Sequence, residues 1–265
     1  MADEPGGWRD FALTLADRAD RIALDHFGGQ LPARRKVDGS PVTAADEAIE
    51  RALRDELARC WPGHAVLGEE EGGALDPERP TWVIDPIDAT KNFMRGIPIF
   101  ATLISVVQAG HPVAGVVSAP ALGQRWDAAA GQGARCNGAA VSVSEHAALR
   151  DCHVLHGGLG TFRSDPAMWD RLGRISDAVW RTRGFGDFWM ALLVAGGHAE
   201  AVVERGLSLW DIAAPACLVT EAGGRVTTWD GGPVLGGSGE LLASNGACHD
   251  AVMALLADGG VGTSH

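Results

Sequence analysis

The chain has no CxxC pair, no long apolar run and no excess of basic residues, and each absence narrows what it can be. Its five cysteines, Cys60, Cys136, Cys152, Cys217 and Cys248, are odd in number. Reduced thiols in a cytoplasmic protein are therefore expected rather than a disulfide framework. No stretch is long enough to span a bilayer, so no membrane partner is expected. The opening Met1-Ala2-Asp3-Glu4 is acidic and lacks an apolar core, so no secretory leader is expected. With 22 Lys and Arg against 34 Asp and Glu, the formal charge is -12. That excludes unspecific nucleic-acid binding, which needs clustered cations, and it suits a site that collects cations. The nine histidines show no HxxxH or HxH spacing, and His153 and His156 do not make a zinc pair. All nine are expected to be structural or exposed. There is no internal repeat and no low-complexity tract.

What is present reads as an ordinary globular chain. At 265 residues, with 46% apolar and 21% charged residues, it can bury a sizeable core as one large domain or two modest ones. Trp8, Phe11, Ala12, Leu15, Ala19, Ile22, Ala23 and Phe27 follow helical spacing, and Gly28-Gly29 ends the helix. Arg34 to Pro41 is a basic loop or hairpin. A second helix is expected from about Ala44 to Cys60, with Ile49, Leu53 and Leu57 on its apolar side, followed by a short strand at Ala65-Val66-Leu67. Ile99 to Gln108, Val113 to Ser118, Arg125 to Ala129 and Ala140 to Ser144 alternate with Gly-containing turns and read as an antiparallel meander. Beyond about Asp151 shorter strands alternate with helices. Helices are expected at Asp187 to Gly196 and Trp210 to Ala222, and a strand at Ala199 to Val203. A soft boundary falls near residue 150, with no linker composition, so two tightly packed parts are expected.

The chemistry concentrates at Trp82-Val83-Ile84-Asp85-Pro86-Ile87-Asp88-Ala89-Thr90-Lys91-Asn92-Phe93. An apolar strand ends in two carboxylates flanking a proline, and a hydroxyl follows. Pro86 fixes its own φ and removes an N–H, so the turn is stiff and the Ile87 carbonyl can face a ligand. Glu69, in Gly68-Glu69-Glu70, and Asp211, in Trp210-Asp211-Ile212-Ala213-Ala214, add further oxygens. Hard divalent cations take oxygen ligands of this kind, and magnesium pairs one or two carboxylates with substrate phosphate. Ala89-Thr90-Lys91-Asn92 opens a helix whose free N–H groups suit a phosphate.

These three blocks, in this order, resemble the inositol monophosphatase family of magnesium-dependent phosphatases, and the resemblance runs to Leu241-Leu242-Ala243-Ser244-Asn245-Gly246. It implies a mixed α/β fold: a layered αβαβα sandwich with an N-terminal α+β part over 1–150, built on an antiparallel sheet, and a C-terminal α/β part over 151–265. It implies two or three Mg2+ per site. Asp85 is expected to bridge two ions, with Glu69 and the Ile87 carbonyl on the first and Asp88 and Asp211 on the second. Two ions about 4 Å apart can activate a water and stabilise the leaving oxygen. Thr90 is expected to orient that water through a hydrogen bond to Asp46, which lies in a Val42-Thr43-Ala44-Ala45-Asp46 block matching the family's VTxxD. The family usually carries glycine where Ala89 stands. At negative φ the alanine is harmless, and at positive φ it costs on the order of 1 kcal/mol.

Bland readings stand beside these. Thr43-x-x-Asp46 is also a capping-box pattern, and both roles together are expected. Asp211 at a helix start could be an ordinary cap. Glu71 is expected to be solvated and Glu70 to assist the ions indirectly. Lys36 is either a phosphate or ion-water contact or a solvated loop lysine. Glu221-Ala222-Gly223-Gly224 is packing and a helix stop.

For the substrate, Asp88-Ala89-Thr90-Lys91-Asn92-Phe93-Met94-Arg95-Gly96-Ile97-Pro98 is similar to the DGTKNFxRGxP form of histidinol-phosphatases of this fold. Arg183-Gly184-Phe185-Gly186-Asp187-Phe188-Trp189 is similar to their RGFGDFW block. Histidinol phosphate carries an ammonium and an imidazole. Asp187 could pair with a cation, and Phe188 or Trp189 could stack on a ring. Arg183 could meet the phosphate or shape the pocket, and Asp187 could merely cap its helix. Glu204 stands where inositol enzymes contact hydroxyls, and could equally hold the amino group. The substrate-binding set is thus Asp88, Ala89, Thr90, Lys91, Arg183, Asp187, Glu204 and Asp211. Hydrolysis of L-histidinol phosphate by a cytoplasmic homodimer is the expected function. Inositol-1-phosphate hydrolysis is the nearest alternative and a regulatory protein-binding role a further one.

Overall fold

The computed structural model describes residues 2–28, 33–35 and 41–257. Pro5, pre-set for a first helical turn, opens α1 (Pro5–His26), whose inward stripe is Trp8, Phe11, Ala12, Leu15 and Ala19. A short hairpin of β1 (Ala33–Arg35) and β2 (Pro41–Thr43) leads into α2 (Ala44–Cys60). Thr43 and Asp46 form the expected capping box at the start of α2. Next come β3 (Ala65–Gly68), β4 (Thr81–Asp88), the short α3 (Thr90–Met94) and the meander β5 (Ala101–Gln108), β6 (His111–Ala119), β7 (Gln124–Ala129), β8 (Ala134–Cys136) and β9 (Ala139–Val141). These seven strands form one sheet in sequence order, all antiparallel except the β3–β4 pair. The meander was legible from its turns, but β8 was not, being a three-residue strand squeezed between two of them.

The remainder forms a second sheet. Its elements are β10 (His153–His156), α4 (Leu159–Arg163), α5 (Pro166–Ala178), β11 (Arg181–Arg183), α6 (Asp187–Ala195), β12 (Ala201–Arg205), α7 (Leu209–Glu221), β13 (Arg225–Thr227), β14 (Glu240–Ser244) and α8 (His249–Leu256). The strand order is β11-β10-β12-β14-β13, parallel in its first three strands and antiparallel thereafter. The strand expected from Ala199 begins two residues later and runs on to Arg205, which places Glu204 within it.

The layers follow from the two-residue period of the strands. On the large sheet, Ile84, Ile104 and Val116 face α1 and α2, while Leu103, Val117 and Trp126 face α6 and α7. On the small sheet, Leu155, Val202 and Ala243 face α6 and α7, while Val154, Val203 and Leu242 face α5 and α8. The order is therefore helix, sheet, helix, sheet, helix, and the central core draws on both sheets. Helix α7 lies close enough to β6 that a Cβ on Gly115 would sit 3.0 Å from the Ala214 carbonyl oxygen. Ala213 packs with Leu67, Val83 and Val107, and Ala214 lies against Gly115, so this small pair lets α7 settle onto the large sheet. Among the described residues no helix is long and apolar enough to cross a membrane.

Candidate metal and phosphate site

Strand β4 carries the site because it is irregular there. Asp85 pairs with Leu103 and Asp88 with Ala101, so three steps on β4 oppose two on β5. The extra residue is a β-bulge, the place inside a sheet where Pro86 is tolerated. Thr102 Oγ1 donates to the Pro86 carbonyl at 2.8 Å and fixes the bulge. Past it, Asp85 and Asp88 bring a carboxylate oxygen each within 4.8 Å of one another and of Asp211, the one such group of metal-ligand type found among the described residues. Asp85 is buried, and its Oδ1 has no hydrogen-bond partner.

Asp211 reaches the group from above. It is not the cap of α7. Ser208 is the cap, and Asp211 is the third residue of a capping box, accepting the Ser208 N–H at 2.7 Å on Oδ2. Asp46 is built the same way. Its Oδ2 accepts the Thr43 N–H at 2.8 Å and the Thr43 hydroxyl at 2.5 Å, leaving Oδ1 buried and without a partner. Glu69 follows β3, its N–H donating to the Ile84 carbonyl at 3.2 Å, and its side chain stands within hydrogen-bonding reach of Asp85.

Electrostatics set these groups apart. Burial, then Glu69, Asp88 and Asp211, push the Asp85 carboxyl well above its ordinary range. Burial, then Asp187 and Asp211, do the same to Asp88. Asp211 and Asp46 are each pushed up to about 6, chiefly by burial. Glu204, on β12, is pushed up to about 8 by burial and by Asp187 and Asp211. Asp187 is raised by burial, with Lys91 opposing. Gathering buried carboxylates at such cost, with one oxygen left bare, fits an environment that accommodates divalent cations.

The Thr90–Asp46 hydrogen bond expected from the sequence is not formed. The Thr90 hydroxyl donates instead to the Ile87 carbonyl at 3.0 Å, three residues back in its own turn. Local geometry offers that carbonyl first, while Asp46 Oδ2 is committed to its helix cap and Oδ1 stays bare. Ala89 has φ 66° and ψ 42°, so alanine occupies a left-handed position that glycine would take without strain. Asp187 does not cap α6. The cap is Gly186 at φ 85°, and Asp187 follows at φ 55° with no capping hydrogen bond. The next N–H, that of Phe188, donates to Asp88 Oδ2 at 2.7 Å.

The structure thus gathers Asp46, Glu69, Asp85, Asp88, Asp187, Glu204 and Asp211 electrostatically, with Lys91 exposed at the edge beside Asp187. Arg183, at the end of β11, is exposed and donates to the Thr182 carbonyl at 2.8 Å. Lys36 lies outside the described residues. Glu71 is exposed, as expected, and stands 3.7 and 3.9 Å from Arg54 and Arg51. Sequence reasoning missed Glu50, Ser208 and the Phe188 N–H. Glu50 had a signal, since it sits one turn beyond Asp46 beside the apolar stripe of α2.

A sequence profile describing the inositol monophosphatase family matches residues 7–259. A histidinol-phosphatase of Mycobacterium tuberculosis is 44% identical over 253 residues, covering 92% of this chain and 96% of that one. Inositol monophosphatase 1 of Bos taurus is 32% identical, covering 92% of each. Among solved structures, an IMPase of Thermotoga maritima superposes with a TM-score of 0.84 at 31% identity, covering 93% of this chain and 95% of that one.

Proposed function

This chain belongs to the inositol monophosphatase family and is a phosphoric monoester hydrolase, and from that premise we propose that it hydrolyses L-histidinol phosphate to L-histidinol and phosphate, with Mg2+ as cofactor. The observation that carries the metal assignment is the Asp85, Asp88 and Asp211 group, buried at Asp85 and half-buried at the other two, with its bare Asp85 oxygen. Glu69, Asp85, the Ile87 carbonyl, Asp88 and Asp211 are the groups that would hold the divalent cations. Bound magnesium supplies the Lewis acid and lowers the pKa of a coordinated water. Thr90 spends its proton on the Ile87 carbonyl, so its oxygen presents lone pairs that accept from the attacking water and aim it in line at phosphorus. Phosphate docks against the first turn of α3, behind Ala89.

The carboxylate of Asp187, with Lys91 beside it, favours a leaving group bearing a cation, as histidinol does, and the 44% identical relative carries that name. The competing reading is inositol 1-phosphate. It draws on Glu204, which at about 8 is protonated at neutral pH and can donate to a sugar hydroxyl. In this proposal residues 1–150 supply most of the ligands and 151–265 the specificity groups and Asp211. The enzyme works as a cytoplasmic homodimer on a small-molecule ester.

The assignment is tested by stripping the protein with EDTA and titrating Mg2+ while phosphate release is followed. Activity must vanish on stripping and return with Mg2+. Full turnover in EDTA would overturn the metal assignment.

A further inference from the structure

Glu50 is fully buried in the second turn of α2, a helix whose neighbouring buried positions are Ile49 and Leu53. A carboxylate there needs strong partners, because an unpaired buried charge costs several kcal/mol. It has them, and they come from the loop that carries Glu69. Glu50 Oε2 accepts the Glu70 N–H at 2.7 Å, and Oε1 accepts the Glu71 N–H at 3.0 Å. Arg54, one turn further along α2, donates to Glu50 Oε1 at 2.8 Å and also to the Gly72 carbonyl at 2.5 Å. Gly68 and Gly72 close the loop with mutual backbone hydrogen bonds of 3.0 and 3.1 Å. A Cβ on Gly68 would come within 2.1 Å of Glu50 Oε1, so the glycine is what lets the carboxylate enter the loop.

From this geometry we infer that Glu50, braced by Arg54, is a positioning residue that sets the Glu69 carboxylate for divalent-cation binding. The inference rests on the metal-dependent reading above. Glu69 is fastened from both sides, its own N–H on the Ile84 carbonyl next to Asp85 and the two following N–H groups on Glu50. Its backbone thereby keeps the side chain beside Asp85. Glu50 is not itself a ligand: both of its oxygens are occupied, and Arg54 balances its charge. Asp46 and Glu50 are four residues apart, so one face of α2 serves the site twice, at its cap and one turn in.

The test measures Mg2+ binding to the metal-free protein by calorimetry, for wild type, Glu50→Gln, Arg54→Lys and a control, Glu200→Gln. Glu200 is another buried carboxylate that takes the Ser144 hydroxyl and the His153 N–H, away from the Glu69 loop. Glutamine can accept from only one side of the loop. Glu50→Gln is expected to raise the Mg2+ dissociation constant about tenfold, the usual scale for losing a partner behind a metal ligand. Arg54→Lys should move it the same way by a smaller factor, and Glu200→Gln should lower Tm without moving it. If Glu50→Gln and Arg54→Lys bind Mg2+ as wild type does, or weaken it no more than Glu200→Gln, Glu50 is only structural and the inference is overturned. Should Glu50→Gln fail to fold, Arg54→Lys decides by the same criterion. A wild-type protein that neither binds Mg2+ nor needs it for phosphate release would defeat the phosphatase mechanism itself, a failure distinguishable from that of Glu50.

Discussion

The Phe188 N–H donates to Asp88 Oδ2 across one hundred residues of sequence, at 2.7 Å. It is the physical link between the helix expected to choose the substrate and the strand expected to hold the metals. The link explains the backbone before it. Gly186 at φ 85° and Asp187 at φ 55° turn the chain so that the first turn of α6 points at Asp88 and leaves the Asp187 side chain in the site. Strain of this kind persists where function requires it.

Replacing Asp187 by glycine separates the two effects. The left-handed strain is relieved, worth about 1 kcal/mol, or roughly 2–4 °C in Tm for a chain of this size. The anionic partner of a substrate cation is lost as well. The expected outcome is a more stable protein whose KM for histidinol phosphate rises about tenfold, the equivalent of one charge-assisted contact. KM for a neutral alkyl phosphate should stay unchanged. Equal effects on both esters would leave Asp187 without a role in specificity.

Asp85→Asn should trade function for stability. The buried carboxylates repel one another when no cation is bound, so neutralising the deepest one raises the Tm of the metal-free protein above that of wild type. Turnover should fall by about 10³ or more, the scale of losing one charge-stabilising group. Mg2+ should no longer raise the Tm of the variant. Calorimetric melts with and without Mg2+, beside a phosphate-release assay, check all three.

Ala89→Gly should stabilise the fold. Alanine at φ 66° costs about 1 kcal/mol relative to glycine, less the extra freedom glycine has when unfolded. A rise in the urea midpoint at unchanged m-value is the expected readout. A fall would mean that the Ala89 methyl, which packs against the α1–α2 core, contributes more than the strain costs.

How much of this could be read beforehand depended on how local the determinant was. The Asp85-Pro86-Ile87-Asp88 segment was visible as chemistry, but it reads from the sequence as a stiff turn ending a strand, and the structure makes it a bulge inside β4. The α2 capping box was visible because its partners lie three residues apart. The partner of the Thr90 hydroxyl was not legible because two acceptors were possible, and the fold gives it the Ile87 carbonyl. The left-handed backbone at Ala89 was left open by the glycine the family usually carries there, and that at Asp187 was hidden because aspartate does not advertise positive φ as glycine does. Glu50 escaped notice because its partners are backbone N–H groups, which carry no signature in side-chain identity.

His249 gives the fold an acid limit. It is fully buried, with Ser244 Oγ 2.7 Å from Nδ1 and Thr227 Oγ1 2.9 Å from Nε2. Burial, and then Arg225, push its pKa down to about 4, against an ordinary value near 6.5. Between those values the unfolded chain binds the proton and the folded one does not. Its contribution is therefore complete above about pH 6.5 and is lost as pH falls through about 4. The raised carboxyls of the metal-free site titrate with the opposite sign, so the useful quantity is the difference from His249→Gln. The gap in unfolding free energy between wild type and variant should narrow on acidification from pH 6.5 to 4. A gap independent of pH would show that His249 does not set this limit.

The most direct test of the central claim is kcat/KM for L-histidinol phosphate and inositol 1-phosphate, measured side by side on the Mg2+-loaded protein. A strong preference for histidinol phosphate is expected, reduced in Asp187→Gly. A preference for inositol 1-phosphate would contradict the account, leaving the metal site in place and removing the cation-binding role given to Asp187.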